Sequence, residues 1–291
     1  MDNYSSSIVN WGRVEAIGRL LSRVPPRVLL VIEENDPQFR AVKSIVEKYG
    51  YKSVAIVVAN SVVSYRLSSR GEDYWVEFSR SIISADISSA GDIISFMSSF
   101  LPLSRGNRVL VKQKVSRLKK AFNVINSIYN NPQKYTDLYK LLLELSSALN
   151  SDIYSKTVVF SVKMAYYAYR CLSAKITNSS KIPVPIDKRI SILTYTSGLI
   201  DYPPSLIISK YQVDASLAWM KVAQRAGIEP ISMDALLWLP ARGVDKALYS
   251  DIERARMIYV ESLRRYSSFS IDEELAYEIA RELFSRKPTL S

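Results

Sequence analysis

The stretch "DIYSKTVVFSVKMAYYAYRC", residues 152–171, is a nearly uninterrupted apolar run that contains two lysines. Its length favours a buried helix over a strand. On a helix, Lys156, Phe160 and Lys163 share one face, because residues three and four positions apart stack along the axis. A buried charge is costly unless it is paired or put to use. The stretch therefore predicts a buried helix whose lysines have either partners or a chemical role.

Most of the remaining sequence shows the same helical spacing of apolar residues. The residues 51–67, "YKSVAIVVANSVVSYRL", are rich in valine, which favours a strand, but their length favours a buried helix. The tail from about residue 251 contains two amphipathic segments, and Ser270 with Glu273 could form a capping box before the second. The pattern predicts an all-α protein with a compact body and a helical C-terminal extension.

The composition excludes several kinds of chemistry. The 291 residues include no histidine and one cysteine, Cys171, so histidine-based catalysis, an internal disulfide and a cysteine-rich metal cluster are all excluded. Cys171 lies late in the apolar run, where a small core residue is expected. No glycine-rich phosphate loop is present. Any catalysis must therefore use Lys, Asp, Glu, Tyr or Ser. We expect no metal and no cofactor.

The charge indicates a polyanionic partner. Thirty-nine Lys and Arg against 28 Asp and Glu give a formal net charge of +11. Seven of the basic residues lie between Arg105 and Lys120, and this run fits either a solvated helix face or a surface that contacts DNA phosphates. No signal peptide or membrane-spanning stretch is recognisable, so we expect a soluble, cytoplasmic protein.

A lysine at a helix N-terminus can serve as a nucleophile. The positive end of the helix dipole and burial both disfavour the charged form of Lys156, and a neutral amine can form a Schiff base with a carbon electrophile. Pro183 and Pro185 stiffen the segment before Asp187, which could act as the acidic partner. Asp187 also stands where a helix N-cap belongs, and capping is the simpler interpretation.

Several motifs, in this order along the chain, resemble the archaeal 8-oxoguanine DNA glycosylases of the helix-hairpin-helix superfamily. They are "NDPQFRAV" (35–42), "SYRLSSRGEDYW" (64–75), "SKTVVFSVKMAYYAY" (155–169), "IPVPIDKRISILTYTSGLIDYPP" (182–204) and "MDALLWLPAR" (233–242). The resemblance covers roughly residues 36–78 and 154–245. It implies a helix-hairpin-helix glycosylase over residues 1–245, with two helical lobes and the active site between them, followed by a C-terminal extension over residues 246–291.

The resemblance also implies the roles of individual residues. Lys156 would be the Schiff-base nucleophile and Asp187 the catalytic carboxylate. The residues expected to bind the flipped-out base are Gln38, Ser64, Trp75, Phe160, Lys163, Asp234 and Trp238. Flat aromatic walls and polar edge-reading groups suit such a base. Taken singly, tryptophan at helical spacing is typical of a core and Gln38 of a solvated loop, but seven matches to one family's pocket favour base binding.

The implied activity is excision of 8-oxoguanine from DNA, followed by cleavage of the strand at the abasic site. We expect a monomer that acts on double-stranded DNA, with single-stranded DNA as an alternative substrate. Two alternatives remain open: a glycosylase of the same fold for another damaged base, and a helical DNA-binding protein without catalysis. The hairpin before Lys156 has no glycine, and Asn150 is the residue best able to adopt a left-handed conformation there.

Overall fold

The computed structural model describes residues 7–288, and within this range it contains sixteen α-helices and no β-strand. The bounds are α1 Trp11–Leu21, α2 Pro26–Glu34, α3 Pro37–Tyr49, α4 Ser53–Ser61, α5 Gly71–Ile82, α6 Ala90–Leu103, α7 Val111–Asn130, α8 Leu138–Leu149, α9 Lys156–Cys171, α10 Lys188–Thr196, α11 Pro204–Ser209, α12 Gln212–Ala226, α13 Pro230–Trp238, α14 Asp245–Leu248, α15 Ile252–Tyr266 and α16 Glu273–Leu283. The predicted all-α class is confirmed.

The chain forms two compact units. The first combines the described parts of Met1–Asp36 and Pro183–Ser291, and the second is the continuous segment Pro37–Ile182. The sequence-based division into residues 1–245 and 246–291 stays a prediction.

The first unit is built around one apolar core to which its N-terminal and C-terminal helices both contribute. Helix α1 packs against α12, and α16 contacts α1, α10 and α15. The chain after α16 is fastened to the end of α10. Ser285 donates a backbone hydrogen bond to the Thr196 carbonyl oxygen at 3.1 Å, and the Arg286 guanidinium lies 4.0 Å from the centre of the Tyr195 ring. The helices beyond residue 245 therefore pack into the same unit as α10.

The second unit surrounds α4, whose nine residues are all buried. Helices α3, α6, α7 and α9 pack against it. Such an all-round apolar helix is expected at the centre of a helical unit, and the sequence-based choice of helix over strand is correct. The helix ends at Ser61 rather than continuing through the predicted residues 62–67, which form a turn followed by irregular chain.

Local signals mark the ends of two helices. Gly50 follows α3 at φ +53°, and Asn150 ends α8 at φ +46°, the left-handed conformation expected of it. The predicted capping box at Ser270 and Glu273 is wrong. Helix α16 begins at Glu273, and the adjacent Asp272 accepts the capping hydrogen bond from the Leu275 N–H at 3.1 Å. A carboxylate at the adjacent position caps the helix directly, so the more distant serine is not needed.

Across residues 7–288, none of the helices combines the length and the apolar character that crossing a membrane requires.

Candidate active site

Lys156 is the first residue of α9 and is exposed. The expected burial of this lysine is therefore wrong. The apolar character of the run belongs to residues 158–169, which are buried except for half-buried Phe160. Cys171, expected in the core, is only half-buried at the end of the helix. A side chain at the first helical position is tilted towards the N-terminal end of the helix. The helix thus provides a rigid base for an accessible amine.

Lys163, two turns further along α9, is only 3% exposed. Its ammonium lies 5.5 Å from the centre of the Tyr167 ring, an arrangement that offsets part of the cost of burying a cation. Phe160, on the same face of α9, meets the Trp75 ring edge-on at 6.2 Å between centroids. The expectation that Phe160 and Lys163 share one helix face is confirmed.

Trp75 is fully buried, at 0% exposure. Besides Phe160, its ring contacts Phe78 edge-on at 5.9 Å. Trp75 therefore does not present an open ring face on which a base could stack. Among the described residues, its Nε1–H has no hydrogen-bond partner. A buried indole N–H is normally satisfied, so this donor could serve a bound ligand.

Gln38 lies in the first turn of α3 and is buried. Its amide packs closely against Gly71, where a built Cβ would stand 3.2 Å from Gln38 Nε2. Gly71 therefore leaves room for the amide at the start of α5. Ser64 lies just after α4, and its hydroxyl donates to the Asn60 carbonyl oxygen at 2.8 Å.

Asp187 caps α10, as the sequence predicted. Its Oδ1 accepts hydrogen bonds from the backbone N–H groups of Arg189 and Ile190 at 2.9 and 3.0 Å. Its Oδ2 accepts a third from Trp238 Nε1 at 2.9 Å. Three N–H donors and the positive end of the helix dipole all favour the ionised carboxylate. The helix cap uses only Oδ1, whereas Oδ2 faces the Trp238 indole. Capping of α10 is therefore compatible with a catalytic role for Asp187.

Trp238 is the last residue of α13 and is half-buried. The Arg189 guanidinium lies 4.2 Å from its ring centre and donates to the Trp238 carbonyl oxygen at 2.9 Å. Asp234 stands one turn earlier on α13 and is buried. The helix ends before Pro240. In this unit the structure therefore brings together Asp187 and Trp238, with Arg189 as a partner that the sequence pattern did not reveal.

The basic run from Arg105 to Lys120 divides into two groups. Five of its members are exposed, namely Arg105, Arg108, Lys112, Lys119 and Lys120. Lys114 is fully buried, and burial lowers its pKa to about 8. Its ammonium donates to Asn107 Oδ1 and lies 5.1 Å from the Tyr65 ring centre. The sequence pattern did not reveal that Lys114 is buried, because a run so rich in Lys and Arg is typical of a solvent-exposed surface.

Arg117, one turn after Lys114, is half-buried and contacts two other helices of the second unit. Its Nε donates to the Val62 carbonyl oxygen at 3.0 Å, directly after α4. One terminal nitrogen donates to Thr157 Oγ1 at 2.8 Å, in the first turn of α9. Residues 117 and 157 are far apart in sequence, and no local pattern indicates that they meet.

Comparison with known proteins agrees with the sequence motifs. The family model AGOG, described as N-glycosylase/DNA lyase, matches residues 18–276. An N-glycosylase/DNA lyase of Methanopyrus kandleri is 37% identical over 224 residues, which cover 75% of this chain and 86% of that protein. One from Pyrobaculum aerophilum is 31% identical over 226 residues, covering 77% of this chain and 84% of its own length.

A solved structure matches the fold. The crystal structure of the 8-oxoguanine DNA glycosylase from Pyrobaculum aerophilum, complexed with 8-oxoguanosine, superposes with a TM-score of 0.71. The match covers 94% of this chain and 97% of that one, at 26% identity. The long family match, the identity to several relatives and the shared fold agree with one another, and the chain belongs to the AGOG family of N-glycosylase/DNA lyases.

Proposed function

We propose that this N-glycosylase/DNA lyase excises 8-oxoguanine from DNA, using Lys156 as the nucleophile and Asp187 as the catalytic carboxylate. The observation that carries the proposal is the position of Lys156, exposed at the first residue of a helix that is otherwise largely buried. Once it has lost a proton, the Lys156 amine attacks the sugar C1′ as the bond to the base breaks, and the base departs with the bonding electrons. The resulting Schiff base acidifies the neighbouring sugar carbon, so that β-elimination then cleaves the strand.

Asp187 supplies negative charge for this reaction. Positive charge develops on the sugar as the glycosidic bond breaks, and a carboxylate held in place by three N–H donors can offset it without having to reorganise. The Trp238 indole fixes the orientation of Oδ2, and the α10 backbone fixes Oδ1. Asp187 is thus a preorganised group rather than a mobile surface acid.

The second unit supplies candidate contacts for the base. Gln38 and Lys163 are buried polar groups, and the Trp75 Nε1–H is a buried donor with no partner in the described chain. Leaving such a donor unpaired is costly, so a ligand that accepts its hydrogen bond is favoured. Phe160, half-buried against Trp75, offers an apolar surface to the base. Ser64, Asp234 and Trp238 complete the set proposed for lesion binding.

The proposed substrate is 8-oxoguanine in double-stranded DNA, with single-stranded DNA as a second possibility, and the proposed active form is a monomer. The exposed cations on and before α7 would contact backbone phosphates. An enzyme that acts on DNA would work inside the cell, in the cytoplasm.

Borohydride trapping tests the nucleophile. The wild-type protein and Lys156→Gln are incubated with duplexes that carry 8-oxoguanine or another damaged base, and the reduced covalent adduct is measured. We expect trapping by the wild type on 8-oxoguanine and none by Lys156→Gln. Lys175→Gln, which removes another exposed lysine of the same unit, is the matched control and should trap normally.

Equal trapping by wild type and Lys156→Gln would remove Lys156 from the mechanism. Efficient trapping on a different damaged base, with none on 8-oxoguanine, would instead assign the enzyme to another lesion.

A further inference from the structure

Arg117 joins the end of one helix to the beginning of another. Its Nε–H donates to the Val62 carbonyl oxygen at 3.0 Å, and this carbonyl belongs to the C-cap residue of α4. Carbonyl groups at a helix C-terminus lack intrahelical donors and carry partial negative charge, so a cation is well placed there. The planar guanidinium is thereby fixed at one edge.

The other edge of the guanidinium holds the first turn of α9. A terminal nitrogen of Arg117 donates to Thr157 Oγ1 at 2.8 Å, and Thr157 directly follows Lys156. The Thr157 hydroxyl also lies 3.4 Å from the hydroxyl of Ser155, the N-cap residue of α9. That N-cap makes no side-chain capping bond of its own. The first turn of α9 is therefore held from outside, through threonine.

The surroundings of Arg117 make this bridge rigid. Tyr65 lies under the guanidinium, with its ring centre 5.9 Å away, and burial raises the pKa of its hydroxyl. Asn107 donates to the next carbonyl, that of Val63, at 3.2 Å. In the described part of the chain, Arg117 has no carboxylate partner. Burying a cation without a counter-ion costs free energy. An arginine that is kept at such a cost is a candidate for a functional role.

We infer that Arg117 is a positioning residue, which acts through Thr157 to fix the point on α9 from which the Lys156 amine approaches its target. A lysine side chain has four rotatable bonds, so its nitrogen is placed accurately only if the backbone from which it starts does not move. A misplacement of about 1 Å can slow a reaction by on the order of 100-fold. This inference rests on the proposed role of Lys156 as nucleophile.

The matched pair Thr157→Val and Thr157→Ser tests the bridge. Valine keeps the shape of threonine but removes the acceptor for Arg117, whereas serine keeps the acceptor. Single-turnover excision and borohydride trapping are measured on 8-oxoguanine duplexes, together with affinity for the lesion DNA and thermal melting. We expect Thr157→Val to excise and trap roughly 10-fold to 100-fold more slowly, with lesion affinity unchanged. Thr157→Ser should behave as the wild type.

Two further variants separate the possible failures. Arg117→Lys keeps a positive charge but loses the planar fork that reaches both acceptors, so it should resemble Thr157→Val. Lys156→Gln is assayed in parallel. If Lys156→Gln abolishes trapping while Thr157→Val reacts at the wild-type rate, the positioning role is wrong and the nucleophile stands. The positioning role is also wrong if Thr157→Ser is as slow as Thr157→Val. If Lys156→Gln traps normally, the proposed nucleophile itself fails.

Discussion

Replacing Asp187 by Asn should separate the structural role of this residue from its catalytic role. The cap should survive, because Asn caps helices as well as Asp and can keep its oxygen towards the N–H groups of Arg189 and Ile190. The amide nitrogen of the variant then faces the Trp238 Nε1–H. In the wild type this N–H donates to Asp187 Oδ2 at 2.9 Å. Two donors would meet there, and one charge-assisted hydrogen bond is lost.

The expected cost in unfolding free energy is about 1.5–3 kcal/mol, the range for a hydrogen bond to a charged group. Chemical unfolding of the wild type, Asp187→Asn, Trp238→Phe and the double variant measures it as a cycle. Phenylalanine removes the indole donor, so Asp187→Asn should cost much less in that background. An equal cost in both backgrounds would show that the Asp187–Trp238 bond contributes nothing to stability.

The catalytic loss should appear in protein that is still folded, so the loss of stability does not account for it. Removing one preorganised stabilising group typically slows a reaction by ~10²–10³-fold. We therefore expect folded Asp187→Asn to bind lesion DNA while single-turnover excision slows by that factor. Excision at close to the wild-type rate would reduce Asp187 to a helix cap.

Three other predictions follow from burial and charge. Trp75→Ala should cost ~3–5 kcal/mol of stability, because the Trp75 ring is fully buried. Trp238 is half-buried, so Trp238→Ala should lose ~1–3 kcal/mol of lesion binding with a smaller fall in melting temperature. A larger fall in melting temperature for Trp238→Ala than for Trp75→Ala would place Trp238 in the core. The logarithm of the DNA-binding constant should fall with the logarithm of the salt concentration, with a slope near −0.9 per phosphate contacted. Reversing the charge of three exposed α7 lysines should lower the affinity at low salt. Unchanged affinity would show that these lysines form a solvated helix face. Those lysines are Lys112, Lys119 and Lys120. Burial lowers the pKa of Lys114 from 10.5 to about 8, so between these pH values the unfolded chain binds a proton that the folded chain lacks. The stability of the wild type relative to Lys114→Met should therefore rise as the pH increases from 8 to 10. A difference in unfolding free energy that does not change with pH would contradict the buried amine.

Helical periodicity was sufficient to predict the fold class, and local signals predicted a few of the helix ends. Gly50 and Asn150 end helices in the left-handed conformation, and Asp187 caps α10, because these preferences depend on a few neighbouring residues. The exposure of Lys156 and the full burial of Trp75 depend instead on tertiary packing. Periodicity identifies the apolar face of a helix, but it does not indicate how far that face is covered at each end.

The partners of the candidate site were beyond the reach of local patterns. Arg117 meets Thr157 across 40 positions, and Arg189 meets the Trp238 carbonyl across 49. Both arginines are long side chains whose charged ends reach neighbouring helices, so the sequence around them gives no sign of the contact. The motif resemblance supplied the candidate site residues, and the structure supplied the groups that hold them.

The division of the chain into two units also sets an order of events during synthesis. The second unit is one continuous segment, so all of its residues, Lys156 among them, have been made once Ile182 is joined. The first unit must wait for about 100 further residues, until Ser285 can bond to Thr196 at the end of α10. At roughly 5–20 residues per second, that delay is on the order of 5–20 s. During this interval the nascent chain already contains the amine, whereas the unit that holds Asp187 cannot yet close around its core.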